Sequence, residues 1–170
     1  MKKIIGISFL ALVFLGCKKT DNNSNEQNCN YDACALKAPA SEIQLVKDYL
    51  TANNITATEH CSGLFYAIDV AGTGASPDVC SFITATYVGK LTNGTVFDQS
   101  PPGQYLQIEL SKLIKGWING LPFIKAGGKI RLYIPPTLGY GSADQKDQNG
   151  NVVIPGNSVI IFDVALAAVN

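Results

Sequence analysis

The chain is poor in charge and in most reactive side chains. Charged residues make up 15% of its 170 positions, and it holds one histidine, one tryptophan and one methionine. Arg131 is its only arginine, and 13 basic residues cancel 13 acidic ones. Neither a nucleic-acid footprint nor long-range electrostatic steering is therefore indicated. With His60 as the lone histidine, a Ser–His–Asp or Cys–His arrangement has no support. The dinucleotide pattern GxGxxG and the phosphate loop GxxxxGK followed by Ser or Thr are both missing, so the glycines point to no nucleotide. No CxxC pair occurs, and a disulfide framework is preferred to zinc. No metal and no cofactor is expected. No apolar run approaches the ~20 residues that a membrane-spanning helix needs.

The apolar residues that are present, 46% of the chain, begin with a leader. Met1-Lys2-Lys3 is a short basic start, residues 4–16 are uncharged and mostly apolar, and the run stops at Gly16-Cys17. This is the form of a secretory signal. Phe14-Leu15-Gly16-Cys17 resembles the lipobox of bacterial lipoproteins. The resemblance implies that Cys17 becomes the lipid-modified first residue of the mature chain. An exported protein, lipid-anchored to a bacterial membrane with its domain in the periplasm, is the expectation. Lys18 supplies no acidic retention signal, which favours the outer membrane. Residues 18–30 carry almost no apolar side chains and cannot order by burial, so residues 18–40 read as a flexible tether. Cys29, Cys34, Cys61 and Cys80 remain. Outside the cytosol an even number suggests two disulfides, here stapling the N-terminal segment to the domain, with three connectivities open.

Residues 41–60 read as an N-terminal helix and linker. Ser41 and Gln44 have the spacing of a capping box, and Ile43, Leu45, Val46, Tyr49 and Leu50 form an apolar stripe that ends at Asn53-Asn54. Packing on its own domain is the preferred use of that stripe, with a monomer expected. Residues 61–170 read as strands with one short helix. Strands are predicted over 64–70, 82–91, 105–110, 129–134 and 159–169, and Asn93-Gly94 marks a hairpin turn. Leu113, Ile114, Trp117 and Leu121 share one face of the short helix between them. The flap over 141–158 is long, polar at its start, and without predicted regular structure. Antiparallel strands with one helix laid against them make an α+β domain.

Taken singly, Tyr87, Phe97, Trp117 and Phe162 are core aromatics, Asp98 is a turn residue, and Tyr140 belongs to loop chemistry. Four segments in order reverse that judgement. Tyr87-Val-Gly89 through Phe97-Asp98, Leu113-Ile114 through Trp117 to Leu121, Ile134-Pro135-Pro136 through Tyr140-Gly141, and Ile154-Pro155 through Phe162-Asp163-Val164 together resemble the signature of FKBP-type peptidyl-prolyl cis-trans isomerases. The resemblance spans about residues 63–169. It implies a curved antiparallel β-sheet wrapped around one short α-helix, here with an extra N-terminal helix. It also implies a pocket floored by Trp117, with Tyr87, Phe97 and Phe162 as walls and Leu106, Leu113 and Ile114 at the side. Tyr140 and Asp98 would stand at the rim, and Val153 and Ile154 as an apolar pair on the flap. Asp98, Tyr140, Trp117, Phe97 and Phe162 would then serve catalysis.

The implied substrates are proline-containing unfolded or exported polypeptides, and macrolide inhibitors are implied ligands. Leu106 and Ile108 stand where family members commonly carry phenylalanine, which makes that wall less aromatic. Two other readings stay open. One is a chaperone or binding module that keeps the fold with weak or no isomerase activity. The other is a lipid-tethered interaction domain that dimerises through its N-terminal helix.

Overall fold

In the computed structural model residues 29–170 are described. The expected signal, Cys17 and the first part of the tether lie outside the described residues. Seven strands form one antiparallel sheet. Its order is β1 (Thr58–Glu59), β2 (Phe65–Val70), β6 (Lys129–Ile134), β9 (Ile160–Val169), β3 (Phe82–Leu91) and β4 (Val96–Gln99), with β5 (Leu106–Glu109) also paired to β3. Strand alternation sorts the side chains. Ile83 and Ala85 of β3, Ile130, Leu132 and Ile134 of β6, and Ile160, Phe162, Val164 and Leu166 of β9 are all buried. Apart from the small Ala85, each of these side chains contributes about 1.5–3 kcal/mol on leaving water.

Helix α2 (Lys115–Gly120) lies on this face. A Cβ at Gly116 would fall 2.5 Å from Ile134, and one at Gly120 would fall 2.5 Å from Leu132. Two glycines on one side therefore let the helix approach as closely as it does. That approach seats Trp117, only 3% exposed, against the sheet.

The other face is covered at one end. Phe65, Tyr133 and Ile161 share a register row and are all buried. Helix α1 (Ala40–Ala52) turns Ile43, Val46 and Leu50 inward, and its Tyr49 ring lies 6.2 Å from that of Tyr133. The stripe is narrower than predicted, since Leu45 is 50% exposed. The capping box is also corrected. Pro39 is the N-cap, with no side-chain cap bond, and Gln44 instead donates to Asp48 at 2.7 Å. Proline sets the helical entry two residues earlier, which leaves Ser41 already inside the first turn.

Residues 29–39 are held, contrary to the tether reading. Cys29 pairs with Cys80, and Cys34 with Cys61, each with Cα atoms 5.5 Å apart. The Tyr31 hydroxyl donates to Asn119 Oδ1 at 2.9 Å, and Asn119 Nδ2 donates to the Ala33 carbonyl at 3.2 Å. Asn119 is only 3% exposed, so the N-terminal segment supplies partners that a buried amide of α2 requires. The flap is corrected too. It contains a small two-stranded sheet, β7 (Gln145–Lys146) with β8 (Val152–Ile154). Asp147 turns it by accepting bonds from the backbone of Asn149 and Asn151.

Candidate functional site

One edge of β3 changes partner along its length. Its first half pairs with β5 and its second half with β4. At the change, Ser100 takes the place of a strand neighbour: its Oγ accepts the Tyr87 N–H at 3.0 Å, and its own N–H reaches the Tyr87 carbonyl at 3.0 Å. The opening between β4 and β5 is where the sheet parts over α2. A cleft of about 120 Å³ lies there, lined by Tyr87, Asp98, Leu106, Leu113, Ile114, Trp117, Tyr140 and Phe162.

The floor is an aromatic box. Trp117 meets Phe162 at 5.3 Å and Tyr87 at 5.5 Å between ring centroids, both edge to face. Phe97 meets Phe162 at 5.5 Å, again edge to face. Such pairs hold each other's orientation beyond what their buried area supplies. Gly89 makes the box possible. A Cβ there would sit 2.7 Å from the Phe97 ring and 2.8 Å from that of Phe162.

The polar groups are at the rim. The Tyr87 hydroxyl donates to Asp98 Oδ2 at 2.7 Å. Burial, then that bond, then the charges of Asp98 and Tyr140 push the Tyr87 phenol above its ordinary range. Burial and the Asp98 charge push the Tyr140 phenol up as well. Both therefore remain proton donors in neutral water. An apolar trough with one carboxylate and two hydroxyls at its edge suits a neutral, cyclic, apolar group whose adjoining amide needs donors.

Eight of the eleven residues singled out for chemistry from the sequence line this cleft. Phe97 stands just behind the lining, its ring 6.4 Å from that of Tyr140. Val153 and Ile154 are placed elsewhere: they belong to β8, Ile154 is 5% exposed within the core, and Val153 packs against it. Ser100 and Gly89 escaped assignment to the site. The glycine is visible in the sequence only as part of a motif, while a serine in a loop gives no local signal at all.

Larger concavities exist. One of about 430 Å³ on the sheet's outer face gathers Lys129, Arg131 and Asp163. Its main charges satisfy one another: Asp163 binds Lys90 and Arg131. Size alone does not identify a site, and the convergence of aromatic and rim groups favours the smaller cleft. Cys34, His60 and Cys61 also lie together, but the two sulfurs are bonded to each other and offer no thiolate to a metal.

Among the described residues no helix is long and apolar enough to cross a membrane. The family described as FKBP-type peptidyl-prolyl cis-trans isomerase matches residues 74–167. A probable FKBP-type peptidyl-prolyl cis-trans isomerase of Haemophilus influenzae is 44% identical over 140 residues, covering 82% of this chain and 55% of that one. The crystal structure of FkpA from Escherichia coli superposes with a TM-score of 0.66 at 36% identity, over 77% of this chain and 60% of that chain. That of a peptidyl-prolyl cis-trans isomerase from Pseudomonas syringae gives 0.64 at 28% identity, over 79% and 98%. The chain thus spans little more than half the length of the curated relative from Haemophilus influenzae. The residues matched include every side chain that lines the cleft and the helix that floors it, and the chain belongs to the FKBP-type peptidyl-prolyl cis-trans isomerase family.

Proposed function

We propose that this protein catalyses cis-trans rotation about Xaa-Pro bonds of exported polypeptides in the cleft floored by Trp117. What supports the reading is the joint geometry. Residues from β3, β4, β5, α2 and its entry, the 136–141 turn and β9 converge on one open apolar trough with two hydroxyls and a carboxylate at its rim.

The reaction explains the residue types. An Xaa-Pro amide is planar by resonance, and turning it costs roughly 20 kcal/mol. No bond is made or broken, so no nucleophile is needed. The planar amide is the more polar form, and a dry aromatic trough withdraws the water that favours it. Trp117, Tyr87 and Phe162 enclose the proline ring, with Phe97 fixing Phe162 from behind. Leu106, Leu113 and Ile114 line the side. The Tyr140 hydroxyl and the backbone N–H of Ile114 donate to the twisted form. Asp98 holds the Tyr87 ring by its hydroxyl, since no step calls for proton transfer. Each ~1.4 kcal/mol by which the twisted form is preferred gives a tenfold rate.

The protein acts in the cell envelope, anchored through a lipidated Cys17. The leader sequence supports this, as do two disulfides of the kind that persist outside the cytosol. Protease-coupled turnover of an Ala-Xaa-Pro-Phe peptide tests the activity. Trp117→Leu and Asp98→Ala should each lower kcat/KM by about ten- to a hundredfold in folded protein. A wild-type rate equal to the uncatalysed one sinks the reading. Fatty-acid labelling that survives Cys17→Ser sinks the anchor.

A further inference from the structure

Glu42 of α1 reaches across the fold to a single residue of the site-bearing turn. Its Oε2 accepts the Thr137 backbone N–H at 2.7 Å, and its Oε1 accepts the Thr137 hydroxyl at 2.8 Å, across 95 positions of sequence. Pro135 and Pro136 precede Thr137 and have no N–H to give, so this is the first donor the turn offers. The same peptide unit acts at its other end. The Pro136 carbonyl accepts the N–H groups of both Gly139 and Gly141, each at 2.9 Å. Those two glycines flank Tyr140, whose side chain lines the cleft.

We propose that Glu42 is a positioning residue for Tyr140, holding the Pro136–Thr137 peptide that in turn holds the turn presenting the Tyr140 hydroxyl. The chain of cause is short. A peptide unit is a rigid plane, so fixing its N–H fixes its carbonyl. A carboxylate makes charge-assisted bonds, about twice as strong as neutral ones. Polarising the N–H also strengthens the carbonyl as acceptor for the next bonds in the series. The turn's other supports do not hold this peptide: Ile134 and Leu138 are fully buried and set its depth, the Leu138 N–H bonds the Pro135 carbonyl at 3.0 Å, and the Asn157 N–H bonds the Gly141 carbonyl at 2.9 Å. The bonds from Glu42, Gly139 and Gly141 bear on the Pro136–Thr137 unit itself. An N-terminal helix that packs on the face away from α2 thereby governs a hydroxyl on the α2 side.

The inference rests on the isomerase reading for its kinetic test and has a second readout that does not. In the full chain, Glu42→Ala should lower kcat/KM for a proline peptide about tenfold, with Thr137→Val, which keeps the N–H bond, lowering it by less. In a Tyr140→Phe background Glu42→Ala should have no further effect beyond about twofold, because coupled residues are not additive. Gln44→Ala, on the same helix but with its side chain bonded, among the described residues, to Asp48, should leave turnover unchanged. Equal losses from Glu42→Ala with and without the Tyr140 hydroxyl overturn the proposal, as does wild-type turnover of Glu42→Ala. Should Glu42→Ala not fold, non-additivity of Thr137→Val with Tyr140→Phe decides in the same way. Should the wild type show no isomerisation, the functional reading fails on its own. The positioning claim is then decided by the Tyr140 ring resonances, identified by their loss in Tyr140→Phe. They should shift in Glu42→Ala and stay in place in Gln44→Ala; unshifted signals in Glu42→Ala overturn it.

Discussion

Replacing Gly89 by alanine puts one methyl group into the wall of the aromatic box. That carbon would lie 2.7 Å from two atoms of the Phe97 ring and 2.8 Å from one of Phe162. Carbon atoms pack best at about 3.5–4.0 Å, so both rings must retreat by roughly 1 Å. Phe162 has no easy path: it is 3% exposed and held edge to face by Trp117 and Phe97. Overpacking of this kind costs about 1–3 kcal/mol, and for a domain of this size about 2 kcal/mol lowers Tm by roughly 4–8 °C. Displaced rings enter or tilt the cleft, so kcat/KM should fall by at least about tenfold, in line with the sensitivity of catalysis to ångström misplacement. Urea unfolding followed by the single tryptophan, together with peptide turnover, measures both effects. Gly127→Ala is the control. Its φ of +85° makes alanine strained, yet nothing lies within 4 Å of the added carbon, so it should cost about 1–2 kcal/mol and leave turnover intact. A Gly89→Ala protein with wild-type stability and turnover would show that the rings have room, and the account of the box would be wrong.

The remaining expectations concern the N-terminal staples and the rim. Cys29–Cys80 and Cys34–Cys61 close separations of 51 and 27 residues, so replacing either pair by alanine should cost about 3–4 kcal/mol; unchanged denaturation midpoints would show that residues 29–39 do not depend on them. The Tyr87 phenol, raised by burial first and then by its bond to Asp98, holds its proton more tightly folded than unfolded. Its contribution is complete below the unfolded value of about 10 and is lost as pH rises beyond it. Stability above pH 10 should therefore fall less steeply in Tyr87→Phe than in the wild type, and identical slopes would refute the assignment.

Periodicity over a few residues made much of this architecture legible. β3 and β6 have the predicted bounds, Phe82–Leu91 and Lys129–Ile134, because alternation and β-branched content are written into consecutive residues. The flap misled because polar residues, Asp147 chief among them, turn a short hairpin by side-chain bonds to its backbone, without any apolar alternation to betray it. The motif resemblance sets Val153 and Ile154 at the cleft, but both belong to β8, and Ile154 is buried in the core.

What the amino-acid order determines by itself is local: strand faces, and the ordered motifs whose resemblance implies the aromatic cleft. Partners far apart in sequence were decided only by the tertiary structure. Cys29 meets Cys80, Asn119 meets Tyr31, and Glu42 meets Thr137 because the sheet and α2 bring their backbones together. Hydrophobic patterning sets which face an element buries, whereas a hydrogen bond or disulfide needs atoms placed within fractions of an ångström. That placement exists only once every layer has packed.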